Sequence, residues 1–280
     1  MITNQETNFV YLSDQMEHKC PTTFSQLTFW FKKLGIGYGI LSNTKDLWVR
    51  DFMPIQYDAN KFMQYKYDPQ YLKTIKGQKT ISDVKAICDT LNISIAKTSI
   101  VLDGGNLVKS KHKAIISTRV FKDNHGYPRQ SLINEIKNQL QVNQVILIPE
   151  EPGDFTGHSD GVIRFIDENT VLLNEYPYDK KYLVYFESIY AALRNARLDI
   201  CPIPYTSWKN KSSNDATGCY INFLEIGKYI FCPAYGQLED QWALIQLKEV
   251  FKDREIIDIQ CAQLAEYGGV LNCATWNILK

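Results

Sequence analysis

The 280-residue chain has few histidines, no paired cysteine motif, no excess of either charge and no long apolar run, and each shortage narrows what it can do. Lys+Arg and Asp+Glu both total 31, so no nucleic-acid-binding basic surface is indicated, and the balance points to a small ligand rather than a polymer. No segment is apolar for the ~20 residues that span a bilayer. Met1 to Gln15 lacks the basic start, apolar run and small-residue cleavage site of a secretory leader, so a cytoplasmic chain without membrane association is expected. The seven cysteines, at 20, 88, 201, 219, 232, 261 and 273, form no C-x-x-C pair, which argues against a disulfide scaffold or a zinc ribbon. The phosphate-binding G-x-x-x-x-G-K is absent, and a catalytic-serine reading is set aside.

What is present is an order of elements that returns. After Trp48 a strand-like stretch runs to Gln56, Asp58-Ala59-Asn60 gives a turn, and Phe62 to Tyr67 alternates apolar and polar as a second strand. A helical pattern over Ile81 to Leu91 and a strand near Ile93 to Ala96 complete the unit. The order returns with strands at Gly105 to Val108 and Ala114 to Ser117, a helix over Gln130 to Leu140 and a strand at Val145 to Ile148. From Gly161 it returns as strands Val162 to Ile166 and Val171 to Asn174, helix Lys181 to Arg197 and a strand near Ile200. From Tyr220 it is strands Tyr220 to Glu225 and Tyr229 to Cys232, helix Leu238 to Phe251 and strand Glu255 to Ile259. Val270 to Ala274 opens a fifth unit, whose helix and closing strand are supplied by Phe24 to Leu34 and Ile36 to Leu41. The expectation is a single α/β domain over residues 1–280, a ring of five ββαβ-like units closed by the two ends of the chain.

Polar residues fall at matching points of these units: Asp51, Asp103, Asp160, Asn222 and Cys273, spaced by 52, 57, 62 and 51 residues. In a ring, equivalent positions converge on the axis, so distant residues can line one pocket. Taken singly, each has an ordinary reading as well. Cys273, in Gly268-Gly269-Val270-Leu271-Asn272-Cys273-Ala274-Thr275, is a nucleophile or a buried core cysteine. His158, in Thr156-Gly157-His158-Ser159-Asp160-Gly161, is a proton carrier, a loop histidine or a metal ligand, though no second His or Cys stands at ligand spacing. Asp51 and Asp160 suit a bidentate clamp on a planar guanidinium, or a structural salt bridge with Arg50. Asp103-Gly104-Gly105-Asn106 has turn chemistry, and Trp48 offers either a cation–π wall or a core side chain.

Together, Trp48-Val49-Arg50-Asp51-Phe52-Met53-Pro54, Asp103-Gly104-Gly105-Asn106, Gly157-His158-Ser159-Asp160, Tyr220-Ile221-Asn222-Phe223 and the segment Gly268 to Thr275 resemble the agmatine deiminase and Porphyromonas-type peptidylarginine deiminase family. The pieces occur in the family's order and cover nearly the whole chain. The resemblance implies the five-bladed α/β propeller (pentein fold) of the guanidine-modifying enzymes, with pseudo-five-fold symmetry. It implies Cys273 as nucleophile, His158 as general acid and base, Asp51 and Asp160 as the guanidinium clamp, Asn222 as a polar pocket residue and Asp103 as a lining residue. Trp48 is expected beside the substrate. Asn272 stands before Cys273 where family members often have His.

The implied reaction is attack of the Cys273 thiolate on the guanidinium carbon, protonation of the leaving nitrogen by His158, loss of ammonia and hydrolysis to a ureido product, with no metal or organic cofactor. Amidino transfer on the same scaffold, or a non-catalytic propeller that binds a guanidine compound or a protein, are the competing readings. Agmatine as substrate would imply polyamine metabolism leading to putrescine. Free arginine would call for a cation near its carboxylate, for which Arg119 and Arg164 are candidates. The partner expected is a small guanidine compound. The oligomeric state is left open, a homodimer being compatible with the sequence.

Overall fold

Strands fall in threes throughout the protein. A computed structural model describes residues 1–177, 179–212 and 214–280, and its strands make five three-stranded sheets. They divide between two compact units, Met1–Thr3 with Asp51–Pro202 and Asn4–Arg50 with Ile203–Lys280. Among the described residues no helix is long and apolar enough to cross a membrane.

The first unit holds three sheets. In one, Ile55–Asp58 pairs antiparallel with Lys61–Lys66, which pairs parallel with Ile95–Val101. In the next, Val108–Lys109 pairs antiparallel with Lys113–Ser117, which pairs parallel with Gln144–Ile148. In the third, Thr170–Asn174 lies between Ile163–Phe165 and Asp199–Ile203. Helix Arg129–Leu140 presents Leu132, Ile136 and Leu140 on one stripe, and these pack with Ile100, Ala114 and Ile116 in a buried cluster. Burying each of these large aliphatic side chains contributes roughly 1.5–3 kcal/mol. Gln141, at φ 55°, stops the helix in the left-handed conformation.

The second unit holds two sheets. Leu224–Ile226 pairs antiparallel with Tyr229–Ala234, which pairs parallel with Glu255–Gln260. In the other sheet Phe9–Ser13 is the middle strand, antiparallel to Thr275–Ile278 and parallel to Gly37–Leu41. Helix Pro21–Leu34 begins on a proline, where a missing N–H costs nothing, and ends at Gly35 in the left-handed region. Its buried stripe of Thr23, Leu27 and Phe31 sets the Phe31 ring edge-on against Phe231 at 5.3 Å.

The units expected from the sequence are all found, with one consistent correction. Their first strands start later than the sequence pattern suggests, because each conspicuous motif folds as a turn ahead of the strand. Trp48 to Gln56 contains the short helix Val49–Phe52 before strand Ile55–Asp58. Gly104–Asn106 is a single 3-10 turn before Val108. Gly161 and Val162 turn into Ile163–Phe165, and Tyr220 to Phe223 precede Leu224–Ile226. The expected strand Val270 to Ala274 is a buried turn, and the strand itself is Thr275–Ile278. The middle strand Phe9–Ser13 was not expected at all.

Candidate active site

The turns at the heads of the first unit's three sheets supply one buried cluster. Asp51 comes from the short helix Val49–Phe52, Asp103 from the residue before Gly104, and His158 and Asp160 from the turn before Ile163–Phe165; all four are buried. Gly105 ties them together. Its N–H donates to Asp51 Oδ1 at 3.0 Å, and its carbonyl accepts the Asp160 N–H at 3.0 Å. His158 lies between two carboxylates, with Nε2 at 2.9 Å from Asp103 Oδ2 and Nδ1 at 3.6 Å from Asp51 Oδ1. The Tyr71 hydroxyl donates to the same Asp103 Oδ2 at 2.6 Å.

Electrostatics follow from this crowding. Burial opposes charge on His158, but Asp51, Asp103 and Asp160 outweigh it and raise the imidazole to about 10, which favours its protonated form. Asp51 is raised to about 8, by burial first and then by the negative charges of Asp103 and Asp160, while His158 and the Gly105 N–H pull the other way. Such a cluster attracts a cation and holds a proton ready to give.

The backbone around His158 is fixed independently. Its N–H donates to Asp154 Oδ2 at 3.2 Å, and the Ser117 hydroxyl bonds the Gly157 carbonyl. Gly157 to Gly161 does spell G-x-S-x-G. Ser159 is nevertheless fully buried, with its hydroxyl donating to the Ile115 carbonyl at 3.4 Å, so the serine reading fails on structure. Arg119, a sequence candidate for a substrate carboxylate, is instead engaged by Asp123 at 3.3 Å, Glu150 at 3.7 Å and the Phe155 carbonyl at 3.1 Å. Arg164 is buried within strand Ile163–Phe165.

In the second unit a different turn carries Cys273, which is half-buried. Asn222 holds it at two points, its Oδ1 accepting the Cys273 N–H at 3.3 Å and its carbonyl accepting the Asn272 N–H at 3.0 Å. Arg50 holds the other side. Its N–H donates to the Cys273 carbonyl at 3.1 Å, its Nε to the Asn272 carbonyl at 3.2 Å and its Nη2 to Asn277 Oδ1. Trp48 packs against Gly269 so closely that a Cβ there would meet Cζ3 at 2.6 Å. The Asn272 that replaces the family's common His is buried and joins this network through its backbone.

Three participants escaped sequence reasoning. Gly105 carried a visible signal in Gly104-Gly105, a place where backbone must approach other groups closely. Arg50 had been weighed only as an aspartate partner. Tyr71 lies between strand Lys61–Lys66 and helix Val84–Thr90 in a stretch without periodicity, and no local signal marks it.

Comparison with known proteins bears on the family and the fold. The sequence pattern of the Porphyromonas-type peptidyl-arginine deiminase family matches residues 2–278. A curated protein of Lactococcus lactis subsp. lactis, bearing the provisional name agmatine deiminase, is 23% identical over 68% of this chain, and the match spans 60% of that relative's length. A Photobacterium profundum protein with the same provisional name is 21% identical, over 85% of this chain and 76% of its own length. Among solved structures, the C. jejuni agmatine deiminase is similar with a TM-score of 0.77 and 17% identity, covering 100% of this chain and 95% of that one. The agmatine deiminase of Enterococcus faecalis gives the same TM-score at 16% identity, with 100% and 95% covered. These likenesses establish the fold expected from the sequence, a five-bladed α/β propeller. With its motifs in order and its pattern matched from residue 2 to residue 278, the chain belongs to the Porphyromonas-type peptidyl-arginine deiminase family.

Proposed function

We propose that this protein is a cysteine-dependent deiminase that hydrolyses a small guanidine compound to a ureido product and ammonia. The observation that carries the reading is the cluster of Asp51, Asp103 and Asp160 around His158, whose protonated form they favour, in a family named for deimination. Buried carboxylates without a cation opposite them are costly, and a guanidinium offers planar donors to two of them at once. In this reading Asp51 and Asp160 hold the guanidinium nitrogens, whose positive charge lowers Asp51 from its raised value and keeps it anionic.

The steps are assigned as follows. The Cys273 thiolate adds to the guanidinium carbon, and His158 donates its proton to the departing nitrogen, so that ammonia leaves and a thiouronium remains on sulfur. Neutral His158 then takes a proton from water, which attacks the same carbon; the C–S bond breaks, the thiolate returns, and the hydroxyl proton passes to solvent as the ureido C=O forms. Asn222 and Arg50 keep the Cys273 backbone fixed, Trp48 and Asp103 line the substrate's surroundings, and no metal or organic cofactor is required. Agmatine is the favoured substrate because the similar proteins of C. jejuni and Enterococcus faecalis are named for it, and because Arg119, engaged by Asp123 and Glu150, is not placed to serve a substrate carboxylate.

Residues 1–280 are read as one domain, supported by likenesses that cover the whole chain. Cytoplasmic residence is proposed from its scattered cysteines, which suit a reducing compartment. Incubation with agmatine, free arginine and arginyl peptides, with ammonia and ureido product both measured, tests the reading. Ammonia and ureido product in equal amounts support it; turnover only when an amine acceptor is added would replace hydrolysis by amidino transfer.

A further inference from the structure

Asp103 uses one carboxylate oxygen for two donors. Oδ2 accepts the Tyr71 hydroxyl at 2.6 Å and faces His158 Nε2 at 2.9 Å, while Oδ1 is buried with no hydrogen-bond partner among the described residues. Among the described residues the rotation of this carboxylate is therefore set by Tyr71 and His158. Tyr71 is a dependable donor, because burial and the negative charge of Asp103 hold its phenol well above the ordinary tyrosine range. Its ring lies edge-on to the His158 imidazole at 6.0 Å and to Phe155 at 5.6 Å.

Tyr71 sits in the 3-10 turn Gln70–Leu72, whose Leu72 N–H donates to the Pro69 carbonyl at 3.1 Å. Arg119, bonded to Asp123 at 3.3 Å, donates its Nη1–H to the Phe155 carbonyl at 3.1 Å and so holds the residue that packs on the Tyr71 ring. None of the family motifs in the sequence includes Tyr71.

We propose that Tyr71 is a positioning residue for proton transfer at His158, acting through Asp103; the proposal rests on the deiminase reading. With the hydroxyl in place, Asp103 presents Oδ2 to Nε2 and the ring keeps Nδ1 toward Asp51, free of Asp103 for proton exchange. Without it, the carboxylate can rotate and offer Oδ1, and the imidazole loses its single orientation.

Tyr71→Phe removes the hydroxyl and keeps the ring. On a guanidine substrate that wild type turns over, kcat should fall about tenfold, the size of one lost hydrogen bond to a charged group, with KM within about twofold. In an Asp103→Ala background the same change should cost less than about twofold, since there is no carboxylate left to orient. Histidine-labelled protein gives a readout without substrate: the buried Nε2–H proton of His158, assigned by its absence in His158→Asn, should change its NMR shift in Tyr71→Phe. A full tenfold loss in the Asp103→Ala background, a raised KM at constant kcat, or an unchanged Nε2–H shift would overturn the proposal. Should wild type turn over no guanidine while the resonance still moves, the deiminase reading falls and the positioning role stands.

Discussion

A methyl group on the Gly105 Cα would stand 2.6 Å from His158 Nδ1 and 2.5 Å from Asp51 Oδ1. Real Cβ atoms do not approach other atoms so closely, so the backbone at Gly105 is itself a wall of the cluster. Its N–H and C=O reach Asp51 and Asp160 only because no side chain intervenes.

Gly105→Ala should therefore separate Asp51 from His158. Overpacking of this kind costs about 1–3 kcal/mol. Activity should fall by more than about a hundredfold, beyond what that loss of stability alone explains, because misplacement of reacting groups is the larger effect. Thermal unfolding and kcat/KM measured on the same preparation separate the two; wild-type kcat/KM in a destabilised variant would show that the close approach is not catalytic.

Asp160→Asn removes a negative charge that acts on both Asp51 and His158. A charge-assisted hydrogen bond is worth roughly 1.5–3 kcal/mol, so kcat/KM for a guanidine substrate should drop at least about tenfold. Unchanged kinetics with a lowered thermal midpoint would mark Asp160 as structural.

Cys273→Ala should abolish ureido formation while leaving guanidine binding in place, since the Asp51 and Asp160 carboxylates are untouched. Cys273→Ser should be nearly as inactive, because a hydroxyl is scarcely ionised near neutral pH. Mass spectrometry of wild type quenched during turnover should find an adduct on the peptide carrying Cys273. Wild-type turnover by Cys273→Ala would end the covalent mechanism.

Stability should fall as pH rises from about 6.5 to 8. In the folded protein Asp51 titrates near 8 instead of its ordinary 3.8, and His158 near 10 instead of 6.5, so the folded state binds more protons than the unfolded chain throughout that window. The His158 contribution is complete below 6.5 and is lost through 10; the Asp51 contribution is lost between 3.8 and 8. Denaturant midpoints across this range should decline more steeply in wild type than in His158→Asn, and parallel slopes would contradict the assignment.

The sequence was most legible at its turns. Asp51, Asp103, Asp160, Asn222 and Cys273 each stand at the head of a sheet, where glycine, asparagine or proline betrays the turn. Strand positions were less legible in the same places. Val270 to Ala274 is apolar because it is buried, but its backbone groups are taken up by Asn222, Arg50 and a helical turn from Val270 to Ala274. Phe9–Ser13 is almost wholly buried between two strands, so it lacks the alternation that marks a half-exposed one. Tyr71 was invisible because its partner stands in another loop, and nothing in its own neighbours predicts the contact.

The sheet in which Phe9–Ser13 lies between Gly37–Leu41 and Thr275–Ile278 has a consequence for the order of synthesis. Phe9 pairs with Gly37 soon after both leave the ribosome, but its other neighbour, Ile278, is made almost a whole chain later. Until then one edge of a buried apolar strand stays open to any other extended segment, a hazard for association between nascent chains. The Arg50 side chain likewise waits for Asn272 and Asn277, so the turn that bears the thiol takes shape only after the more than two hundred residues between them are made. A ribosome stalled before residue 270 would carry a chain with the carboxylate cluster's residues complete and Cys273 not yet made.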